Sequence, residues 1–316
     1  MTAIGAIVAS GFLGSAAVRT ALAVGAAVAL VSGPLGVFTV IRGQSFAGEA
    51  LGDIGTTGGS GAFLVGVGPL WGFLVINVAA GALMELVGVQ RRAGRDLATG
   101  VVLGSGLGLA ALFLYLASTL HSTTGATVTI LFGSLFTFDS STLPVVLVLA
   151  LLVLVALMLL ARPLMLASAS PELAAARGVP VALVGYAYLL ALSLSIALCA
   201  VTIGSILSTA LLIGPAAAAL RIARRPGRAM AGAAALGIAA TWLGVLLAYD
   251  SYDWPPHDRG WPVSFFVVAL VFVEYLLCGL ARGRRRSRPS VLDSAPPAAL
   301  GGSVASPCAP TRARDH

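Results

Sequence analysis

Acidic side chains inside apolar stretches are the residues of this sequence best suited to chemistry. Glu49 and Asp53 are four residues apart in a glycine-rich stretch, and Glu274 lies deep in an apolar segment near the C-terminus. Acidic residues are costly in a hydrocarbon environment, so they commonly mark a transport path. On a helix, this spacing places the Glu49 and Asp53 carboxylates on one face, about one turn apart. The pair is therefore suited to binding one cation.

Each of these acids also has an ordinary structural explanation. Glu49 follows Arg42 by seven residues, so a short helix outside the membrane would leave both Glu49 and Asp53 hydrated. Glu274 has no charged neighbour in sequence, and it would serve packing if it were protonated or paired with another helix. Spacing alone leaves both interpretations open.

The composition is that of a polytopic membrane protein. Of the 316 residues, 58% are apolar and 10% are charged. The net charge of +7 comes from arginines between apolar segments, where they orient a chain in the bilayer, so nucleic acid is not implied. The chain contains no lysine, which excludes a GxxxxGK phosphate-binding loop. It also has no HExxH or GxSxG motif, so we expect neither an enzyme nor a resident cofactor.

Hydrophobic segments long enough to cross the bilayer predict an all-α bundle of about nine transmembrane helices, with eight as the alternative count. Gly100, Gly104 and Gly108 in the fourth span have the spacing by which two membrane helices pack closely. The predicted spans are Ala17–Ile41, Ala47–Val67, Pro69–Val89, Leu97–Ala117, Leu143–Ala161, Val181–Val201, Gly204–Leu220, Met230–Tyr249 and Val263–Ala281.

The arginines predict the orientation. Alternating the linkers places 17 of the 19 on one side, and Arg19 and Arg259 on the other. Cytoplasmic loops carry the positive excess, so the C-terminus is expected inside and the N-terminus outside. The arginine-free linker 121–142 is then external. We predict an external segment 1–16, a transmembrane domain 17–281 and a basic, disordered cytoplasmic tail 282–316.

Four stretches, in order, resemble the permease subunits of zinc, manganese and iron ABC importers, the family called ABC-3. The first is GPLGVFTVIRGQSFAGEALGDIGTTG at 33–58, and the second is the LFG at 131–133. The third, PELAAARGVP at 171–180, is similar to a cytoplasmic segment of the family. The fourth is VTIGSILSTALLIGPAAAA at 201–219. The resemblance spans roughly residues 17 to 281.

The resemblance implies a path for metal through the first stretch. Family members carry an aspartate there and, four residues later, a histidine; this chain has Glu49 and Asp53. The family's proline before the last glycine becomes Thr57. An all-oxygen pair suits harder ions such as manganese better than a site with an imidazole does. Glu49 and Asp53 are thus the expected transient metal ligands, with Glu274 as a weaker candidate.

The third stretch corresponds to the helix that docks on the ATPase. Ala174 and Gly178 match small residues that permit a close fit in a groove of that partner, and Ser170 precedes the helix where family members often have an acid. The residues expected to couple this chain to the ATPase are Pro171, Glu172, Ala174, Arg177 and Gly178.

The resemblance therefore implies a permease subunit in a bacterial plasma membrane that translocates a divalent cation, most simply zinc or manganese. Its expected partners are a second copy of the chain, a separate ABC ATPase and an external metal-binding protein. Two alternatives stay open: a permease of the same class for a siderophore, haem or cobalamin, and an ion-coupled secondary carrier that uses Glu274 and Glu49.

Overall fold

The computed structural model describes residues 14–86, 95–121, 124–133, 135–136, 142–223, 225–253 and 260–286. Their regular structure is entirely helical. A short 3₁₀ turn follows the tenth α-helix at Ser251–Asp253. The α-helices are α1 (Ala16–Ile41), α2 (Ser45–Val65), α3 (Pro69–Leu86), α4 (Arg95–His121), α5 (Thr124–Phe132), α6 (Leu143–Ala169), α7 (Pro171–Ala176), α8 (Val181–Ile203), α9 (Ser208–Ile222), α10 (Pro226–Asp250) and α11 (Val263–Arg286).

Six of these helices are long and apolar enough to cross a membrane, namely α1, α4, α6, α8, α10 and α11. Each coincides with a predicted span. The other three predicted spans correspond to α2, α3 and α9. The apolar parts of α3 and α9 are shorter, and α2 carries Glu49 and Asp53 among its glycines. The all-helical membrane architecture is confirmed, whereas the count of nine is not.

One end of the described bundle carries most of its arginines. Arg42, after α1, donates a hydrogen bond of 3.5 Å from Nη1 to Ser168 Oγ near the end of α6. We call this the arginine-rich end; its described members are Arg42, Arg162, Arg177, Arg221, Arg225 and Arg228. At the opposite end, Trp242 Nε1 of α10 donates to the carbonyl of Leu22 on α1 at 3.1 Å.

Helix α1 lies at the centre of the packing. It contacts α10, α9, α6 and α8, and the residues from Val31 to Thr39 are all buried. Gly33 makes this possible, because a Cβ there would lie 2.7 Å from the backbone carbon of Ala233 on α10. Helix α4, by contrast, presents large apolar side chains outward, such as Val101 and Tyr115, each 65% exposed. Such a face suits contact with lipid.

The glycine stripe of the fourth span packs differently from the prediction. A Cβ at Gly100, Gly104 or Gly108 would meet nothing within 4 Å, so this stripe contacts no other described helix closely. Gly106 is the glycine of α4 that lies against α2, where its Cβ would be 2.8 Å from Ile54 Cγ1. Spacing identified a close-packing helix but not the face on which it packs.

Candidate translocation site

Helix α2 carries the predicted metal ligands and is held by its glycines. Gly48 and Gly52 lie against α9, where added Cβ atoms would be 3.2 Å from Leu212 and 2.7 Å from Ser208 Oγ. Gly58 packs on Gly72 of α3 so closely that a side chain on either would overlap the other's backbone. Small residues allow membrane helices this approach. Helix α2 is therefore fixed between α3 and α9, and its acids project from the remaining surface.

Thr57 adds a polar anchor on another side of α2. Its hydroxyl donates a hydrogen bond of 2.7 Å to the carbonyl of Gly106 on α4. The helix runs without interruption through this position, where the resemblance placed a proline in family members. The threonine thus ties α2 to α4.

The structure places Glu49 and Asp53 on one helical face with increasing burial. Glu49 is exposed, Asp53 is half-buried, and Thr56 and Ser60, further along that face, are buried. The Ser60 hydroxyl donates to the carbonyl of Thr56 at 2.7 Å. The face therefore offers two carboxylates followed by hydroxyl groups, which are oxygen ligands suited to a hard divalent cation.

Asp53 lies beside a break in the helical structure. Its neighbour Gly52 packs on Ser208, the first residue of α9, and the Ser205 carbonyl would lie 3.5 Å from a Cβ at Gly52. The break itself separates the end of α8 at Ile203 from Ser208. Inside a membrane, non-helical backbone is tolerated where protein buries it or where it lines a path.

The break packs on α5, which lies in the linker predicted to be an external loop. Ser205 donates its backbone N–H to the carbonyl of Ile130 at 3.2 Å. Gly133 and Gly204 both have positive φ, 80° and 101°, and a Cβ on either would overlap the backbone of the other segment. The second and fourth stretches of the resemblance therefore meet in space at these two glycines.

Glu274 does not join the carboxylate pair in a compact cluster. It lies on α11, which packs against α9 and α10, and its Oε2 is buried without a hydrogen-bond partner among the described residues. Within those residues, no group of three or more His, Cys, Asp or Glu side chains is arranged to hold a metal ion. The geometry fits transient ligation along a face better than a closed metal site.

The predicted coupling segment forms the short helix α7, and its ends are well capped. Ser170 accepts a hydrogen bond from the N–H of Leu173 at 3.3 Å, so it caps the helix where family members often have an acid. Gly178 has φ of 77°, and the N–H of Val179 donates to the carbonyl of Ala174 at 3.0 Å. This is the Schellman arrangement, which favours glycine at that position.

The exposed surface of α7 differs from the expected one at two residues. Ala174 is fully buried within the chain, so its small size serves the packing of α7. Leu173, which sequence analysis passed over, is 52% exposed. Pro171, Glu172, Arg177 and Gly178 are exposed as well. In the sequence Leu173 stands between Glu172 and three alanines, and only the structure shows that its side chain is exposed.

Comparisons with known proteins find relatives among metal-transport permeases. Residues 15–277 match the family described as ABC 3 transport family. The manganese import system permease protein ScaB of Streptococcus parasanguinis is 29% identical over 232 residues, which cover 73% of this chain and 81% of ScaB. The high-affinity zinc uptake system membrane protein ZnuB of Haemophilus influenzae is 28% identical over 233 residues, covering 74% and 88%.

The fold also resembles a solved structure. PsaBC from Streptococcus pneumoniae, in complex with Fab, superposes with a TM-score of 0.74 and 22% identity. The superposition covers 90% of this chain and 98% of that one.

Proposed function

Because the chain belongs to the ABC 3 transport family, we propose that it is the permease subunit of an ABC importer for a divalent metal cation, manganese or zinc. The observation that carries this proposal is the Glu49 and Asp53 face of α2, which leads to the break between α8 and α9. Manganese and zinc transport in the named relatives supports the choice of cargo. The chain itself is a transport subunit, and ATP hydrolysis belongs to a separate chain.

The proposed path starts from the increasing burial along α2. Because α2 begins at the arginine-rich end, a cation that enters from the opposite end passes the buried hydroxyl groups and Asp53 before it reaches the exposed Glu49. Carboxylate and hydroxyl oxygens replace the water that the cation has lost, and it regains water beyond Glu49. Two carboxylates without a third ligand of the same kind bind weakly enough to release the ion, which conduction requires. Glu274 is a secondary candidate. Its buried Oε2 has no hydrogen-bond partner among the described residues, but it lies on a different helix from the carboxylate pair.

The proposed orientation places the arginine-rich end in the cytoplasm, because positive residues favour that side. The C-terminus is then cytoplasmic, and α7 faces the ATPase. The external binding protein delivers metal at the opposite end. A second copy of the chain completes the transporter, as the family resemblance implies.

Coupling is proposed to run through the exposed part of α7. Pro171, Glu172 and Leu173 present a mixed polar and apolar surface to the ATPase, while Gly178 sets the direction of the chain that enters α8. Ala174 lies on the opposite, buried side of α7 and packs that helix against the rest of the chain. A rigid link from α7 to α6 and α8 would carry movement of the ATPase into the bundle.

Replacing Leu173 with aspartate should uncouple the two subunits. The exposed leucine would be buried against the ATPase, and an unpaired carboxylate in such a contact is costly. We expect the affinity for the ATPase to fall about tenfold or more, measured by co-purification at rising salt. Leu173→Met is the matched control and should retain binding. Normal association of the aspartate variant would exclude Leu173 from the interface.

Replacing Asp53 with histidine should shift the metal preference. The variant restores the acid and imidazole pattern that the resemblance gives for the family, and imidazole favours zinc over manganese. We expect the ratio of zinc to manganese uptake to rise several-fold in competition assays with both isotopes. An unchanged ratio would mean that Asp53 does not contact the ion.

The function itself is tested by uptake of ⁵⁴Mn²⁺ and ⁶⁵Zn²⁺ into vesicles that contain this chain, its ATPase and its binding protein. ATP-dependent uptake of either ion supports the proposal. Uptake that follows an ion gradient without ATP would favour a secondary carrier. Uptake of a metal chelate but not of the free ion would favour the siderophore, haem or cobalamin alternative.

A further inference from the structure

We propose that Arg42 is a positioning residue that transmits movement of the coupling helix α7 to the carboxylates on α2. Arg42 lies in the short turn between α1 and α2 and is half-buried at the arginine-rich end. Its guanidinium contacts elements that are far apart in sequence, namely the start of α2, the end of α6 and helix α8. The inference rests on the proposed function, because it concerns how the ATPase acts on the metal path.

The first contact holds the beginning of α2. Arg42 Nε donates a hydrogen bond of 3.2 Å to Oε1 of Gln44, a buried residue that directly precedes α2. The Gln44 carbonyl in turn accepts from the N–H of Gly48 at 3.1 Å. Helix α2 is continuous from there to Asp53, which lies about 14 Å further along the axis at the rise of an α-helix. A displacement of Gln44 is therefore passed to the carboxylate face.

The second contact reaches the helix that leads into α7. Arg42 Nη1 donates to Ser168 Oγ at 3.5 Å. The Ser168 hydroxyl donates its own proton to the carbonyl of Leu164 at 2.6 Å, so its oxygen is left to accept from the guanidinium. Ser168 stands shortly before Ser170, the residue that caps α7. Arg42 therefore connects the start of α2 with the start of the coupling helix.

The third contact involves α8, the helix that follows α7. The guanidinium carbon of Arg42 lies over the Tyr188 ring, 5.2 Å from its centre, which is within the range of a cation–π interaction. The Tyr188 hydroxyl is 2.8 Å from Thr39 Oγ1 on α1. Because Thr39 donates its own proton to the carbonyl of Leu35, the tyrosine is the donor in this pair. Tyr188 is completely buried, so its ring gives the guanidinium a fixed surface.

These contacts suit an arginine and give α7 a direct connection to α2. The planar guanidinium can donate to Gln44 and Ser168 while its face stacks on Tyr188, whereas the ammonium of a lysine is a point charge. Among the described helices, α8 packs on α2, but neither α6 nor α7 packs closely on it. Arg42 therefore adds a link from the end of α6 to the first turn of α2, and movement of α7 would reach the carboxylates through this link.

The test compares the manganese ions transported with the ATP hydrolysed, in vesicles that contain the complete transporter. We expect Arg42→Gln to lower uptake about tenfold while ATP hydrolysis stays within about twofold of the wild type. Arg42→Lys keeps the charge but not the planar fork, and it should lower the ratio of ions to ATP by a smaller factor. Arg228→Gln is the matched control: it removes an exposed arginine at the same end outside these contacts and should keep the wild-type ratio.

A double-mutant cycle separates the link from the charge of the arginine. Gln44→Met keeps nearly the length of the side chain but removes the acceptor, so it should lower the ratio of ions to ATP about as much as Arg42→Gln does. The double variant should be no worse than either single variant, because both changes break the same link.

Three results would overturn the proposal: an unchanged ratio in Arg42→Gln, additive losses in the double variant, or an equal loss of ratio in Arg228→Gln. An equal fall in uptake and ATP hydrolysis would indicate a purely structural role for Arg42 and would also overturn it. A wild-type transporter that takes up neither manganese nor zinc would instead contradict the proposed function, and with it the premise of this inference.

Discussion

Asp53→Asn should reduce ATP-dependent manganese uptake about tenfold or more. A tenfold loss corresponds to ~1.4 kcal/mol in the free energy of ion binding. The amide keeps the shape of the side chain but removes the negative charge that replaces part of the ion's hydration. Because Asp53 is half-buried, little water is available to compensate. Initial uptake rates in vesicles with the complete transporter measure the effect.

Glu49→Gln should have a smaller effect than Asp53→Asn, since Glu49 is exposed and solvent can partly replace it. Equal uptake by Asp53→Asn and the wild type would remove the carboxylate face from the path. Glu274→Gln, tested in parallel, decides whether the acid on α11 takes part.

Gly204→Ala should destabilise the folded permease by roughly 2 to 5 kcal/mol, from the cost of positive φ together with overpacking. Gly204 has φ of 101° and ψ of 155°, a region that is essentially restricted to glycine. The Cβ of an alanine at this position would also overlap the Leu131 carbonyl. The backbone strain and the steric overlap therefore occur together at this residue. We expect a large loss of monodisperse protein in size-exclusion chromatography after mild heating.

Two other glycines separate the causes of that loss. Gly178→Ala has positive φ but open space around the Cβ, so it should show only the conformational cost, about 1 kcal/mol. Gly100→Ala lies within a helix with open space and should be neutral or slightly stabilising. If the Gly204→Ala protein were as stable as the Gly100→Ala protein, the described contact between α5 and the helix break would be contradicted.

Sequence alone predicted those features that depend on local pattern. Hydropathy located each of the six long apolar helices, and the four-residue spacing of Glu49 and Asp53 placed both on one face. These predictions succeed because helical periodicity and hydrophobic length are properties of contiguous residues. The family resemblance, not a local pattern, implied a short helix at 171–178, and the structure has α7 there.

The remaining features depend on contacts between distant segments. Helix α5 has only nine residues, too few for a search based on 20-residue spans, and it lies in a linker without arginine. The direction of the glycines in α4 depends on where α2 lies, and Ala174 is buried by neighbours that the helix pattern does not specify. The contact between Gly133 and Gly204 likewise becomes visible only in three dimensions.

That contact between glycines also constrains the order in which the chain can assemble. Gly204 is synthesised 71 residues after Gly133, which at 5–20 residues per second takes roughly 4 to 14 s. During this interval the carbonyl groups at the end of α5 lack the partner that the finished fold provides, and an unpaired carbonyl is costly in lipid. We therefore expect helix α5 to remain at the membrane–water interface during synthesis and to enter the bilayer only after α8 has left the ribosome.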